Sequence, residues 1–145
     1  MEVFTTKSCN LKWFDNRQSQ AVFDELGYSA VYAVGPAQSD KSKISWGSQL
    51  PTRLVQIQNA HWQPLTLKTA MWTAGHIFAE RLMRLVSELI DCRRIRGDWF
   101  DIPTGLLENA IRIAAGKANI SLKTHEEMLA SVVAERERRI NRLIY

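Results

Sequence analysis

Cysteine is nearly absent from this chain. The two residues, Cys9 and Cys92, lie far apart in 145 and form no C-x-x-C pair. That excludes a disulfide framework and points to a reducing compartment. No run of 18 apolar residues occurs, so no transmembrane helix and no membrane partner are expected. The first seven residues lack the apolar core of a signal peptide, and the expected location is cytoplasmic. Repeats and low-complexity segments are missing too. Charge of one sign is in small excess, 19 Lys+Arg against 15 Asp+Glu, giving +4 and a pI near 9.3. Such a surplus suits a polyanionic partner without requiring one.

What is present reads as one domain, because 145 residues bury a single core well and two poorly. Asp15-x-x-Gln18 has the form of a capping box, and Gly27 is a stop, which predicts a helix over 15–26. Residues 28–34 are aromatic and β-branched and close on Gly35-Pro36, a strand and a turn. Lys43–Trp46 returns as a second strand. Pro51 marks the first turn of a helix of about ten residues, and 65–72 reads as a third strand. Phe78, Leu82, Leu85, Val86 and Leu89 recur at helical spacing between 75 and 91. A basic turn at 93–97 follows, then a helix over 104–115 stopped by Gly116. Thr124-x-x-Glu127 is a second capping box, opening a long terminal helix.

The fold class this order predicts is α+β, a small three-stranded antiparallel sheet flanked by helices. Residues 1–27 form an N-terminal helical extension, 28–116 the central domain and 117–145 a C-terminal helix. The last helix carries Glu135 and Arg139 on one side and Leu129, Val132, Val133, Ile140 and Leu143 on another. It either packs back on the domain or contacts a second copy or a protein partner.

Three local patterns bear on chemistry. Ala30-Val31-Tyr32 ends the first strand, and Lys43-Ile44-Ser45 begins the second, eleven residues on. Arg53-Leu54-x-x-Ile57-Gln58 follows ten residues later, and Pro64-Leu65 closes the unit. Downstream stand Phe78-Ala79-Glu80-Arg81 and Arg94-Ile-Arg-Gly-Asp-Trp-Phe100. Together, over residues 28–102, they resemble the GIY-YIG nuclease superfamily, in its bacterial and phage branch that writes K-I-G for Y-I-G. In that branch R-L-x-x-L-Q and R-x-R-G-E-W-F stand at the corresponding places.

The resemblance implies a metal-dependent endonuclease that hydrolyses DNA, with RNA as the alternative substrate. A strand Tyr handles the nucleophile, an Arg holds the phosphate and a Glu binds one Mg²⁺ or Mn²⁺. Those roles fall to Tyr32, Arg53 and Glu80. A guanidinium fits a phosphate because its planar donors bind two oxygens at once. A lone carboxylate suits Mg²⁺, which keeps most of its waters. Lys43 replaces the second Tyr as a cation beside Tyr32 or a direct phosphate contact. His61, just past the helix, is a second proton carrier. Arg84, Arg93, Arg94, Arg96 and Trp46 are the candidate nucleic-acid contacts.

The pattern also departs from the family. Ala30 and Ser45 replace both motif glycines, Arg84 stands where the branch has His, and Asp98 replaces the Glu of R-G-E-W-F. The family's late Asn has only Asn109 as a counterpart. These departures support a rival reading, a non-catalytic descendant that binds nucleic acid or protein. Each residue also has a structural use. Tyr32 is a sheet aromatic, Arg53 a solvated helix residue, and Glu80 an exposed i, i+4 partner of Arg84. Trp46 and Trp62 flank the implied cleft, with stacking on bases or ribose as their alternative use, but like Trp99 and Phe100 they are read first as packing residues.

Overall fold

Ser29–Gly35 forms strand β1, and all seven of its residues are buried. A strand buried on both faces needs apolar side chains at every position, which explains the unbroken Ala-Val-Tyr-Ala-Val run. The computed structural model describes residues 12–144, so the lead-in with Cys9 lies outside the described residues. Helix α1 (Arg17–Leu26) precedes β1 and ends at Gly27, whose φ of 70° is left-handed. Its cap is Asn16, not the Asp15 expected; the Asn16 side chain accepts from the amides of Gln18 and Ser19 at 2.7 and 3.2 Å.

Strand β2 (Lys41–Gly47) returns antiparallel to β1, with Tyr32 opposite Ser45 and Val34 opposite Lys43. Gly35 is required at this hairpin, because a Cβ there would meet the Lys41 carbonyl oxygen at 2.2 Å. Helix α2 (Leu50–Asn59) follows, with Pro51 in its first turn. Strand β3 (Thr66–Thr73) pairs with the other edge of β1. A bulge makes Lys68 the extra residue there. Helix α3 (His76–Leu89), a 3₁₀ turn (Asp91–Arg93) and strands β4 (Arg94–Arg96) and β5 (Trp99–Asp101) come next. Then come helix α4 (Thr104–Ala118), strand β6 (Lys123–Thr124) and helix α5 (His125–Ile144).

The described residues thus give the α+β fold expected, with N- and C-terminal helices, but a sheet of six strands instead of three. Its order is β4-β5-β2-β1-β3-β6, antiparallel throughout. The added strands have two or three residues each, too short to show alternation in a sequence. The basic turn at 93–97 therefore includes strand β4, and Gly97 takes a φ of 56° in the turn to β5. Helix α4 continues through Gly116 and stops at Asn119, which adopts the left-handed φ of 55°. The second capping box is formed as read: the Thr124 amide donates to Glu127 at 3.1 Å and the Glu127 amide to Thr124 at 3.2 Å.

Alternation along β1 divides the interior in two. Val31 and Ala33 join Ile44 and Met71 under α3 and α4, through Ala79, Leu82, Val86, Leu107 and Ile111. Ala30, Tyr32 and Val34 face the other way, toward Phe23 of α1, Leu50 and Leu54 of α2, Trp72, and Met128 and Val132 of α5. The terminal helix packs back on the domain, where Arg136 reaches Ser19 at 3.2 Å and Arg139 reaches Glu25 at 2.6 Å.

Candidate functional site

On the second face the helices leave a gap beside α2. Tyr32 forms part of its floor from the central strand. Lys43 and Ser45 stand on β2, on the same face because both lie two residues or fewer from the Tyr32 pairing position and alternate with Ile44. Arg53, Gln56 and Ile57 come from α2, Ala60 and His61 from just beyond it, Asp98 from the β4–β5 turn and Trp99 from the start of β5. Together they line a cleft of about 570 Å³. Four residues expected at one site, Tyr32, Lys43, Arg53 and His61, therefore meet there.

The cleft holds two unusual atoms. Tyr32 is 1 % exposed, and its hydroxyl has no hydrogen-bond partner among the described residues. The same is true of His61 Nδ1. Buried polar atoms are nearly always paired, and an orphan costs about 1–3 kcal/mol. A phenol oxygen and an imidazole nitrogen left open beside two cations suit an incoming polar ligand. Lys43 Nζ lies 3.8 Å from the Asp98 carboxylate. Arg53 forms no ion pair among the described residues, and its Nε lies 3.5 Å from where a Cβ on Gly47 would stand. Two cations against one carboxylate leave the cleft with net positive charge. The His61 ring leans on Trp99, with centroids 4.9 Å apart.

The substituted glycines are accommodated without disturbing this geometry. Ala30 is fully buried in the second core, and Ser45 puts a small hydroxyl in the cleft wall opposite Tyr32.

Glu80 is not brought to the cleft. Its helix α3 buries Ala79, Leu82 and Val86 against Val31, Ala33 and Ile44, the face of the sheet opposite Tyr32. Glu80 is exposed and pairs with Arg84 at 3.5 Å, so Arg84 is outside the cleft as well. An exposed pair of this kind is worth under about 1 kcal/mol. Trp46 packs on the first core against His76, at 5.5 Å between centroids, and not on the cleft as expected. His76 Nδ1 in turn meets Ser29 Oγ at 3.1 Å. Asn109 is exposed on α4, beyond the first core.

Arg93, Arg94 and Arg96 are exposed at the β4–β5 end of the sheet. Arg94 is occupied: it bonds Asp91 at 2.8 Å and the Gly97 carbonyl, and its guanidinium lies 4.7 Å over the Phe100 ring. Phe100 is fully buried, as read, whereas Trp99 is half-buried in the cleft wall.

Sequence reasoning missed Asp98 as a cleft residue. The signal was its place beside Gly97 between two short hydrophobic-containing runs, which makes a hairpin that folds back on β2. No three His, Cys, Asp or Glu side chains converge on a metal-sized site among the described residues. The carboxylate in the cleft is already held against Lys43, so the donor set does not fit a divalent ion anchored by Glu80. No family model matches the chain, and neither a curated protein nor a solved structure matches it.

Proposed function

We propose that the cleft binds a phosphodiester of nucleic acid and hydrolyses it, a GIY-YIG-type reaction carried by Tyr32, Lys43, Arg53 and His61. The observation that supports this reading most is the buried, unpartnered Tyr32 hydroxyl in a cleft that Lys43 and Arg53 also line. Arg53 and Lys43 neutralise the non-bridging oxygens, whose charge rises as phosphorus becomes five-coordinate. Tyr32 orients the attacking water through its oxygen. Water adds to phosphorus as the bond to the departing sugar oxygen breaks. His61 carries away the water's proton, and the departing oxygen takes a proton from solvent. DNA is the expected substrate and RNA the alternative; Mg²⁺ or Mn²⁺ enters as an assay condition, and no step is assigned to it.

Purified protein incubated with supercoiled plasmid, with Mg²⁺, Mn²⁺ or a chelator, tests the reading. Nicking is expected from the wild type and falls about 10²–10³-fold in Arg53→Ala, the scale of losing one preorganised charge donor. Equal nicking by wild type and Arg53→Ala overturns the assignment.

The position of Glu80 favours a second reading, a nucleic-acid-binding module without catalysis. It predicts no cleavage of DNA or RNA, but binding that weakens steeply with salt and depends on Arg53 and Lys43.

A further inference from the structure

Trp62 breaks the pattern of the other tryptophans. Trp72 is fully buried and Trp13, Trp46 and Trp99 are half-buried, but Trp62 is 87 % exposed. A large apolar ring held in water forfeits the burial that usually justifies a tryptophan. Its backbone is nonetheless fixed. Gln58, 2 % exposed, spends both ends of its amide on this loop: Nε2 donates to the Gln63 carbonyl at 2.7 Å and the His61 carbonyl at 3.4 Å, and Oε1 accepts from the Leu65 amide at 2.7 Å. A buried amide thus braces residues 61–65 from within. Its backbone adjoins the cleft, since Trp62 follows the lining residue His61 and adjacent Cα atoms lie about 3.8 Å apart.

We infer that Trp62 is a stacking platform for an unpaired base, and that the strand held by the cleft is single-stranded at that point. This rests on the reading of the cleft as a phosphate site. Lys43 and Arg53 hold the backbone, and the neighbouring indole offers a flat face to a base of the same strand. In a duplex each base already stacks on its neighbours and has no face to offer. The braced loop lowers the entropy lost when the ring engages, because the backbone beneath it is already ordered.

The test is fluorescence anisotropy with a labelled oligothymidylate and a labelled duplex of equal length, on wild type, Trp62→Ala, Trp62→Phe and Arg53→Ala. Wild type should prefer the single strand. Trp62→Ala should weaken single-strand binding about 5- to 150-fold, the range of one lost base stack, and leave duplex binding and the salt slope unchanged. Trp62→Phe should restore most of the affinity, and Arg53→Ala should weaken both ligands and reduce the salt slope. An exposed side chain leaves the fold intact on removal. Unchanged single-strand binding in Trp62→Ala, with Arg53→Ala still impaired, overturns the stacking role and spares the cleft reading. Equal losses on single strand and duplex also overturn it. No binding by wild type overturns both.

Discussion

The two faces of the sheet do different work with the same strands. Under α3 and α4 the packing is aliphatic, built from Val31, Ala33, Ile44, Leu82, Val86, Leu107 and Ile111. Its buried polar neighbours are satisfied: Thr69 donates to Glu108 at 3.0 Å, and Thr73 to the Ser29 carbonyl at 2.8 Å. The face under α1, α2 and α5 is aromatic, with Trp13, Phe14, Phe23, Tyr32 and Trp72. Tyr32 Oη and His61 Nδ1 are orphaned on that side, as is Arg136 Nε. Binding sites keep such unmet capacity where a ligand arrives, and stable cores remove it. The difference leaves the unmet polar capacity on one face of the sheet, two of its three atoms at the cleft.

Substitutions on each face can break that division. Leu82→Ala, at a fully buried position on the aliphatic face, should lower the unfolding free energy by about 2–5 kcal/mol in a denaturant titration. The folded fraction should keep the nucleic-acid binding proposed for the cleft. Tyr32→Phe should do the reverse. Losing an unpaired hydroxyl should leave stability unchanged or raise it by about 1 kcal/mol, while cleavage or, failing that, phosphate-dependent binding falls. A Tyr32→Phe protein of full activity would remove the hydroxyl from the site.

Acid sharpens the contrast further. His125 accepts from Trp72 Nε1 at Nδ1, 3.1 Å, and its Nε2 meets the Lys12 carbonyl at 2.7 Å. Burial pushes its pKa below the ordinary 6.5, against the upward pull of that carbonyl and of Glu126. The unfolded chain therefore binds the proton first as pH drops. Stability should be fully present above about 6.5 and decline below it until the folded pKa is passed. Thermal melts between neutral and mildly acid pH should show this, and His125→Gln should flatten the decline. Glu127 and Glu135, held below 4.5 by bonds from Thr124 and Arg138, add their losses only at lower pH. The smallest effect belongs to Glu80→Ala, expected within about 0.5 kcal/mol and without effect on the cleft. A large loss of cleavage in Glu80→Ala would return this carboxylate to the reaction.

How much of this was legible depended on sequence distance. Tyr32, Lys43, Arg53 and His61 lie on one continuous hairpin and helix, so their spacing carried their placement. Glu80 was different. Helical periodicity shows which side of α3 is polar, but not which face of the sheet α3 covers. That second fact depends on packing, which puts Ala79 and Leu82 against Val31 and Ile44. Asp98 reached the cleft through a long-range pairing of β5 with β2, in which Lys43 stands opposite Trp99. Strands of three residues leave no alternation to read. For Trp62 the packing reading, preferred on general grounds for an indole, gave way to exposure: the ring is 87 % exposed on a loop braced by Gln58.

The central position of β1 has a consequence for motion. Its amides and carbonyls bond to β2 on one side and β3 on the other, and both its faces are covered. Local openings take the least protected segments first, so the amides of β1 should be among the slowest in the molecule to exchange with deuterium. Tyr32 is anchored in that strand, whereas Arg53 reaches the cleft as a long side chain from α2. The cleft then has a floor that opens only with the whole fold and, in Arg53, a long side chain that can swing without it. The guanidinium can change place while the phenol oxygen keeps its position.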